Sequence, residues 1–474
     1  MLAAVQGKGL KTNALSFLSN LAIGVSSAAP AYSLASALGA IAAIAAFGTP
    51  AVMIAAFIPM LFIAMAYYHL NRAAPDCGTS FTWCARTMGP HMGWIAGWAL
   101  IATNIIVMPG QAAIAGQYSF QLFGETEPPA LYVTLAGVAW IAVLTAICYI
   151  GIELSARTQQ LLLGIELAIL LVFAGLALAK AYGSNPPAGS AHVSLSWFNP
   201  STAGNLDSFT GAFLVAVFIY WGWDTGLSVN EETKDPGIAP GRAAVASTFL
   251  LLALYVLLAV AAVALAGPAL LSQNKADVFA SIGEPVLGFW AGKLLVAAVL
   301  TSAAAATQTT IVPAARTALS MAAAGAIPAR FGAIHPRYLS PGFATLALGA
   351  VSIVWYVGLT LLSKNVLDDS ILAIGLPITF YYALTGFACV IFYRGDLLKS
   401  GKDFIFKGLF PGAGALMMAL LFFKSSLTLA STGSIAIFGI GAPTAIGVGS
   451  LAAGIPLMML AKAKAPGFFM SKRQ

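Results

Sequence analysis

Hydrophobic positions along the chain fall in long unbroken runs. Stretches 41–66, 94–115, 131–150, 161–179, 245–266, 294–306, 343–362, 408–423 and 435–461 carry no charge apart from Glu166. Each is as long as, or extends to, the roughly 20 residues a helix needs to cross the hydrocarbon of a bilayer. The period-2 alternation of an outer-membrane barrel is absent. Allowing for spans interrupted by Gly, Pro or single polar residues, the pattern predicts an all-α membrane protein of about twelve transmembrane helices. They are expected at 14–40, 46–71, 90–121, 130–150, 156–182, 207–231, 243–267, 287–323, 341–362, 368–393, 407–429 and 434–462. The longest connection, "GSNPPAGSAHVSLSWFNPSTAGN" at 183–206, has loop composition.

Composition agrees: 59% of the 474 residues are hydrophobic and 8% charged, against about 25% charged in a soluble domain. Lys8 and Lys11 precede "SSAAPAYSLASA", whose small residues resemble a signal-peptide cleavage site. Apolar character runs well past it, so an uncleaved first span is expected. With both termini inside, only Lys180, Lys275, Lys293, Lys364 and Lys424 of the 23 basic residues fall outside. That asymmetry predicts cytoplasmic termini in a plasma (inner) membrane. The net charge of +7 is thereby a topology signal, and no nucleic-acid partner is needed to explain it. Cys77, Cys84, Cys148 and Cys389 are expected reduced; no metal site or cofactor is expected.

Two spans are internally broken. The first reads "LAIGVSSAAPAYSLASALG", interrupted by Gly24, two serines and Pro30; the sixth reads "GAFLVAVFIYWGWDTGLSV", where Gly222 precedes Asp224 and Thr225. They open two successive groups of five spans. Matched Gly/Pro-interrupted segments point to a midplane binding site in a transporter built from inverted repeats. Unwound backbone is tolerated only where it faces protein or a cavity.

Four motifs then carry a resemblance. "GTSFTWCARTMGPHMGWIAGW" (78–98), "GIELSARTQQ" (151–160), "WGWDTGLSVNEETKDP" (221–236) and "ARTALSMAAAGAIPARFGAIHP" (315–336) resemble, in order, motifs of the amino acid–polyamine–organocation permeases. The likeness covers residues 14–400; the last two spans match only as hydrophobic helices. It implies a first repeat at 14–182, a second at 207–393, and two added helices within 407–462. It also implies alternating-access transport.

The resemblance further implies site residues. Ser26, Ser27 and Ala28 stand where the family commonly has Gly-Ser-Gly and holds a substrate carboxylate. Carbonyls around Ile219 and Tyr220 would take an ammonium, with Gly222 at the break and Trp221 or Trp223 as a lid. Asp224 is expected to face a wet substrate cavity, or to cap the following half-helix. Glu166 falls where several sodium-independent relatives carry a lysine that substitutes for sodium. A carboxylate there is a protonatable coupling residue, a cation ligand, or a neutral group bonded to a neighbouring helix. Weaker candidates are Asn104 for substrate and the Ser302, Thr307 and Thr309 hydroxyls for sodium, with protons preferred. Glu231, Glu232, Lys234 and Asp235 form an inner salt-bridge gate or a solvated charge run. Gly93 and Gly97 have the spacing of a close-packing pair.

A channel and a membrane enzyme are the competing classes. The chain has no filter-like sequence, no Ser/His/Asp set, and no Gly-x-x-x-x-Gly-Lys loop. His69, His91, His192 and His335 all fall at loops or span ends. The expected function is a secondary permease that imports or exchanges amino acids, proton-coupled; the alternative is a polyamine or organic-amine transporter.

Overall fold

In the computed structural model, which describes residues 7–273, 277–362, 369–370, 372–433 and 436–470, the apolar runs are helices. Eleven stretches are long and apolar enough to span a bilayer, and one of them, Phe17–Ala73 at 57 residues, holds two spans, giving twelve. In chain order the helices are α1 (Phe17–Ser27), α2 (Pro30–Ala45), α3 (Thr49–Ala73), α4 (Ser80–Met88), α5 (Pro90–Leu122), α6 (Ala130–Ile150), α7 (Ile152–Ala181) and α8 (Leu206–Ile219). They continue as α9 (Ala239–Leu271), α10 (Val278–Ile282), α11 (Phe289–Ala323), α12 (Gly342–Leu362), α13 (Gly375–Tyr393), α14 (Phe410–Ala430), α15 (Ala442–Lys464) and α16 (Pro466–Met470). Among the described residues the only strands are the two-residue arms of a hairpin, Ala436–Ile437 and Ile440–Gly441. The chain is a multi-pass, all-α membrane protein. Lys275, Lys364, Lys472, Arg473 and the expected span starts at 368 and 434 lie outside the described residues.

Local chemistry explains where helices stop and restart. α1 opens on a capping box in which Ser16 and Ser19 satisfy each other's backbone. α5 starts at Pro90, whose fixed φ suits a first helical position. The preceding Gly89, at φ 98°, turns the chain out of α4. α4 itself was not expected; it buries Phe81, Trp83 and Cys84 against the bundle and packs along α5. The connection into α7 is one residue shorter than a loop: α6 ends at Ile150, Gly151 takes φ 134°, and α7 begins at Ile152 rather than near 156.

Both expected breaks are present. α1 ends at Ser27; Ala29 is left-handed (φ 48°), and Pro30 starts α2 without an N–H to give back to α1. α8 ends at Ile219, Gly222 takes φ 119°, and the chain continues as a 3₁₀ run over Trp223–Glu232. The breaks touch. A Cβ on Gly222 would lie 2.6 Å from the carbonyl carbon and oxygen of Ser27 and 2.8 Å from the Ala28 nitrogen. One end of the bundle, the N-terminal face, gathers residues 7–16, the end of α3 and the start of α9. There Leu15 N–H donates to Glu232 O (2.9 Å) and Lys234 N–H to Leu15 O (2.9 Å), a single parallel bridge. The opposite, distal face holds the 182–206 connection and the hairpin.

The glycine pair is structural. A Cβ on Gly93 would meet Ala85 Cβ at 2.4 Å and its Cα at 2.6 Å, and one on Gly97 would meet Met321 Sδ at 2.9 Å. Gly164, on an exposed face of α7, has nothing within 4 Å. Gly93→Ala is therefore expected to cost about 1–3 kcal/mol by overpacking, read as a lowered unfolding temperature in detergent. Gly164→Ala serves as the control and should leave that temperature unchanged.

Candidate functional site

A cavity of about 470 Å³ lies over the two breaks and runs toward the distal face. Ser27, Ala28 and Ala29 of the first break and Ile219 and Trp221 of the second form its floor; α2, α5, α8, α13 and α14 supply the walls. Hydroxyl and amide groups reach it from Ser27, Tyr32, Ser33, Ser36 and Gln111. Among the described residues, no Asp, Glu, Lys, Arg or His side chain lines it.

The break in the first span frees backbone groups, and neighbouring helices take them up. Ala31 N–H donates to Glu166 Oε1 (2.7 Å) and Tyr32 N–H to Ser302 Oγ (3.2 Å). Ser33 Oγ donates to Ala28 O at 2.7 Å. Glu166 thus caps the start of α2 from α7, a carboxylate at the positive end of a helix. Its other oxygen, Oε2, is buried with no hydrogen-bond partner among the described residues, as is Ser26 Oγ. Ser27 Oγ lies 2.9 Å from Thr225 Oγ1, joining the two breaks by side chain as well as by backbone.

The second break differs from expectation at its carboxylate. Asp224 does not line the cavity and caps no helix. It accepts from the hydroxyls of Tyr382 (Oδ1, 2.8 Å) and Tyr381 (Oδ2, 3.1 Å). Tyr381 in turn accepts from Trp221 Nε1 at 2.6 Å. The carboxylate sits one tyrosine behind the wall that Trp221 forms. Adjacent α13 residues supply both hydroxyls, so the acid is paired by donors fixed on one helix.

Other expected residues divide. Ile219 lines the floor, and its carbonyl accepts from Tyr255 Oη at 2.7 Å. Tyr220 is turned away, with Oη donating to Met53 O at 3.0 Å. Trp223 is fully buried against Tyr67 and Tyr382 rather than at the cavity, so of the two tryptophans only Trp221 is at the wall. Asn104 lies below the cavity, its Nδ2 bonded back to Leu100 O at 2.8 Å, while α5 presents Val107 and Gln111. Thr307 and Thr309 likewise donate to carbonyls of their own helix, Ala303 and Ala306.

The N-terminal face is closed by buried charge. Arg316 Nε and Nη2 grip Glu232 at 2.5 and 2.9 Å, with both side chains at most 2% exposed. Lys8 reaches between Glu231 and Asp76, at 3.0 Å from the latter. Asp76 Oδ1 also accepts from Gly78 N–H, Thr82 Oγ1 and Ser320 Oγ. Asp76, Cys77 and Glu231 together have metal-ligand chemistry, but the Lys8 ammonium takes the position a cation would occupy. Of the expected gate residues, Lys234 and Asp235 form no ion pair among the described residues.

Electrostatics keeps this lock shut. Burial alone would push the Lys8 ammonium down, but the Asp76 and Glu231 carboxylates hold it well above the ordinary lysine value of 10.5. Burial alone would raise Asp76; Lys8 and the Gly78 N–H hold it below the ordinary 3.8. Burial pushes the Cys77 thiol far up, so it stays neutral. Stability from a depressed carboxyl is present above its unfolded value and lost as pH falls through its folded one. That from a raised amine is present below its unfolded value and lost as pH rises through its folded one. The Lys8–Asp76 contact is thus at full strength between pH 3.8 and 10.5.

Sequence reading singled out neither Asp76 nor the Tyr381–Tyr382 pair, and it counted Lys8 and Arg316 only as topology charges. Arg316 carried a usable signal: it falls inside the expected span 287–323, where a charge demands a partner.

Comparison with known proteins follows the same outline. Residues 15–460 match the family model described as amino acid permease, so the likeness continues through the last two spans. An uncharacterized transporter of Mycobacterium tuberculosis is 28% identical over a region covering 61% of this chain and 61% of that protein's length. The branched-chain amino acid permease BcaP of Bacillus subtilis is 26% identical over 63% of this chain and 65% of its own length. The low-affinity putrescine importer PlaP of Escherichia coli is 23% identical over 77% and 78%.

Removing one member of a buried ion pair strands the other charge. Arg316→Met is expected to destabilise by about 3–5 kcal/mol, and the double variant Glu232→Met/Arg316→Met to recover most of the loss. Unfolding temperatures of the wild type, Arg316→Met, Glu232→Met and the double variant, compared as a double-mutant cycle, check the pairing.

Proposed function

The chain belongs to the amino acid permease family, and on that footing we propose that it is a secondary transporter for a neutral, apolar amino acid, coupled to protons and working by alternating access. The observation that carries this reading is the cavity over the paired breaks, which no ionised side chain among the described residues lines. An amino acid brings one positive and one negative group and is neutral overall, so such a cavity need not supply a countercharge. The carboxylate meets Ser27 and the positive end of α2, taking over the Ala31 and Tyr32 N–H groups that Glu166 and Ser302 hold here; the ammonium meets the negative carbonyl ends of α1 and α8. Leu214, Val215, Phe218 and Ile378 receive the side chain.

A diamine presents two ammonium groups, and burying a charge without a partner costs several kcal/mol. Asp224 would serve it only if Trp221 and Tyr381 swung aside.

In this reading Glu166 couples transport to protons from the hinge rather than from the cavity. Ionised, it holds the Ala31 N–H; protonated, it accepts more weakly and lets α2 re-aim. The repeats 14–182 and 207–393 would rock about the touching breaks. With the N-terminal face in the cytoplasm of the inner membrane, sealed by its ion pairs, the cavity faces outward.

Uptake into proteoliposomes tests this. Radiolabelled leucine is expected to accumulate under an inward proton gradient. Glu166→Gln is expected to abolish the dependence of that accumulation on the proton gradient, while leucine counterflow persists. If putrescine enters and leucine does not, the neutral amino acid reading is wrong and Asp224 becomes the recognition group.

A further inference from the structure

A second cavity, of about 530 Å³, opens at the N-terminal face between the end of α3, the start of α9 and the helical turns over 401–409. Arg72, Arg242 and Lys402 stand around it and are solvent-exposed. None of the three forms an ion pair among the described residues, whereas Lys8, Lys11, Arg316, Lys399 and Lys407 each have an acidic partner. The single carboxylate at this cavity, Asp403, is held by Lys407 Nζ at 2.6 Å. Tyr68 and His69, the remaining titratable wall residues, pack edge-on against each other, and His69 also against Tyr393.

Two further features indicate an anion here. Arg242 lies in the first turn of α9 and Lys402 in the first turn of the stretch Gly401–Ala430, where a helix dipole opposes a cation and favours an anion. The α9 N-terminus has no side-chain cap and no acidic residue in its first turn. Below the cations the wall turns apolar. Met65 and Phe249 lie two turns deeper than Arg72 and Arg242, about 10 Å at 1.5 Å per residue, and Phe249 and Phe406 are 49% and 38% exposed. Three positive groups at the ends of spanning helices, above exposed aromatic rings, reproduce the division of a phospholipid into head group and tail.

We propose that this cavity binds the phosphate of an anionic phospholipid, with Arg72, Arg242 and Lys402 on the head group and an acyl chain against Phe249 and Phe406. The lipid would join α3 to α9 beside the seal, since Asn71, next to Arg72, donates to Pro236 O at 2.8 Å and accepts from Asn230 Nδ2 at 2.7 Å.

Native mass spectrometry of the purified full chain, with phosphatidylglycerol or phosphatidylcholine added, tests this. The wild type is expected to retain phosphatidylglycerol. Arg72→Gln/Arg242→Gln/Lys402→Gln is expected to weaken that retention about a hundredfold, at roughly fivefold for each cation. A control of equal charge on the same face, Arg330→Gln/Arg394→Gln/Lys464→Gln, should retain it. If the site triple fails to fold, Arg242→Gln alone should show the roughly fivefold loss. Equal retention by wild type and site variant would overturn the proposal, as would equal loss in the control. Displacement of the lipid by millimolar inorganic phosphate would overturn the lipid assignment in favour of a soluble anion.

Discussion

Every departure from regular helix inside a bilayer leaves main-chain groups that water cannot reach, and each must find a partner within the protein. This molecule breaks two spans at the same depth and then makes the breaks satisfy one another. Gly222 exists because the carbonyl of Ser27 occupies the space of its Cβ. Glu166, Ser302, Ser33 and Tyr255 are placed on four elements around that contact, each taking one freed group. The cavity is what remains above them, so its floor and its chemistry follow from how the backbone was repaired.

The same constraint separates two kinds of charge. Asp224 and Glu166 are buried acids that hold architecture: one is fixed by two tyrosine hydroxyls, the other caps α2. At the N-terminal face, charges are paired and shut a passage; the pairs link residue 8 with 76 and 231, and residue 232 with 316. These are long-range contacts between α11, the 3₁₀ run of the second broken span and the N-terminal arm. A carrier that must open this face has to separate them together, and water arriving at the freed groups offsets part of the cost.

Much of the fold was legible in the sequence because hydrocarbon imposes a coarse rule: a span must be long, apolar and helical. The twelve spans and both breaks obey it, and Gly222 and Pro30 mark the breaks by their own backbone limits. The departures arose where side-chain direction mattered. Trp221 and Trp223 lie on either side of Gly222, and sequence does not say which one faces the cavity. Asp224 looks like a cavity acid until Tyr381 and Tyr382, over 150 residues later, are brought against it. The Ile219 carbonyl has a partner that sequence does not show, the Tyr255 hydroxyl on α9. Asn104 and Gln111 lie seven residues apart on α5, and only the height of the breaks selects the latter. The amphipathic α4 was hidden because it lies outside any long apolar run.

The parallel bridge of Leu15 with Thr233 bears on how the molecule is made. The N-terminal arm leaves the ribosome first, yet its partner in that bridge follows more than two hundred residues later, and the Arg316 that fixes Glu232 later still. For most of synthesis Lys8 and the first broken span have no finished seal to join. Closure of the N-terminal face is consequently a late event of biogenesis, reached only when α11 has inserted. An immature chain would be recognisable by an unsecured arm.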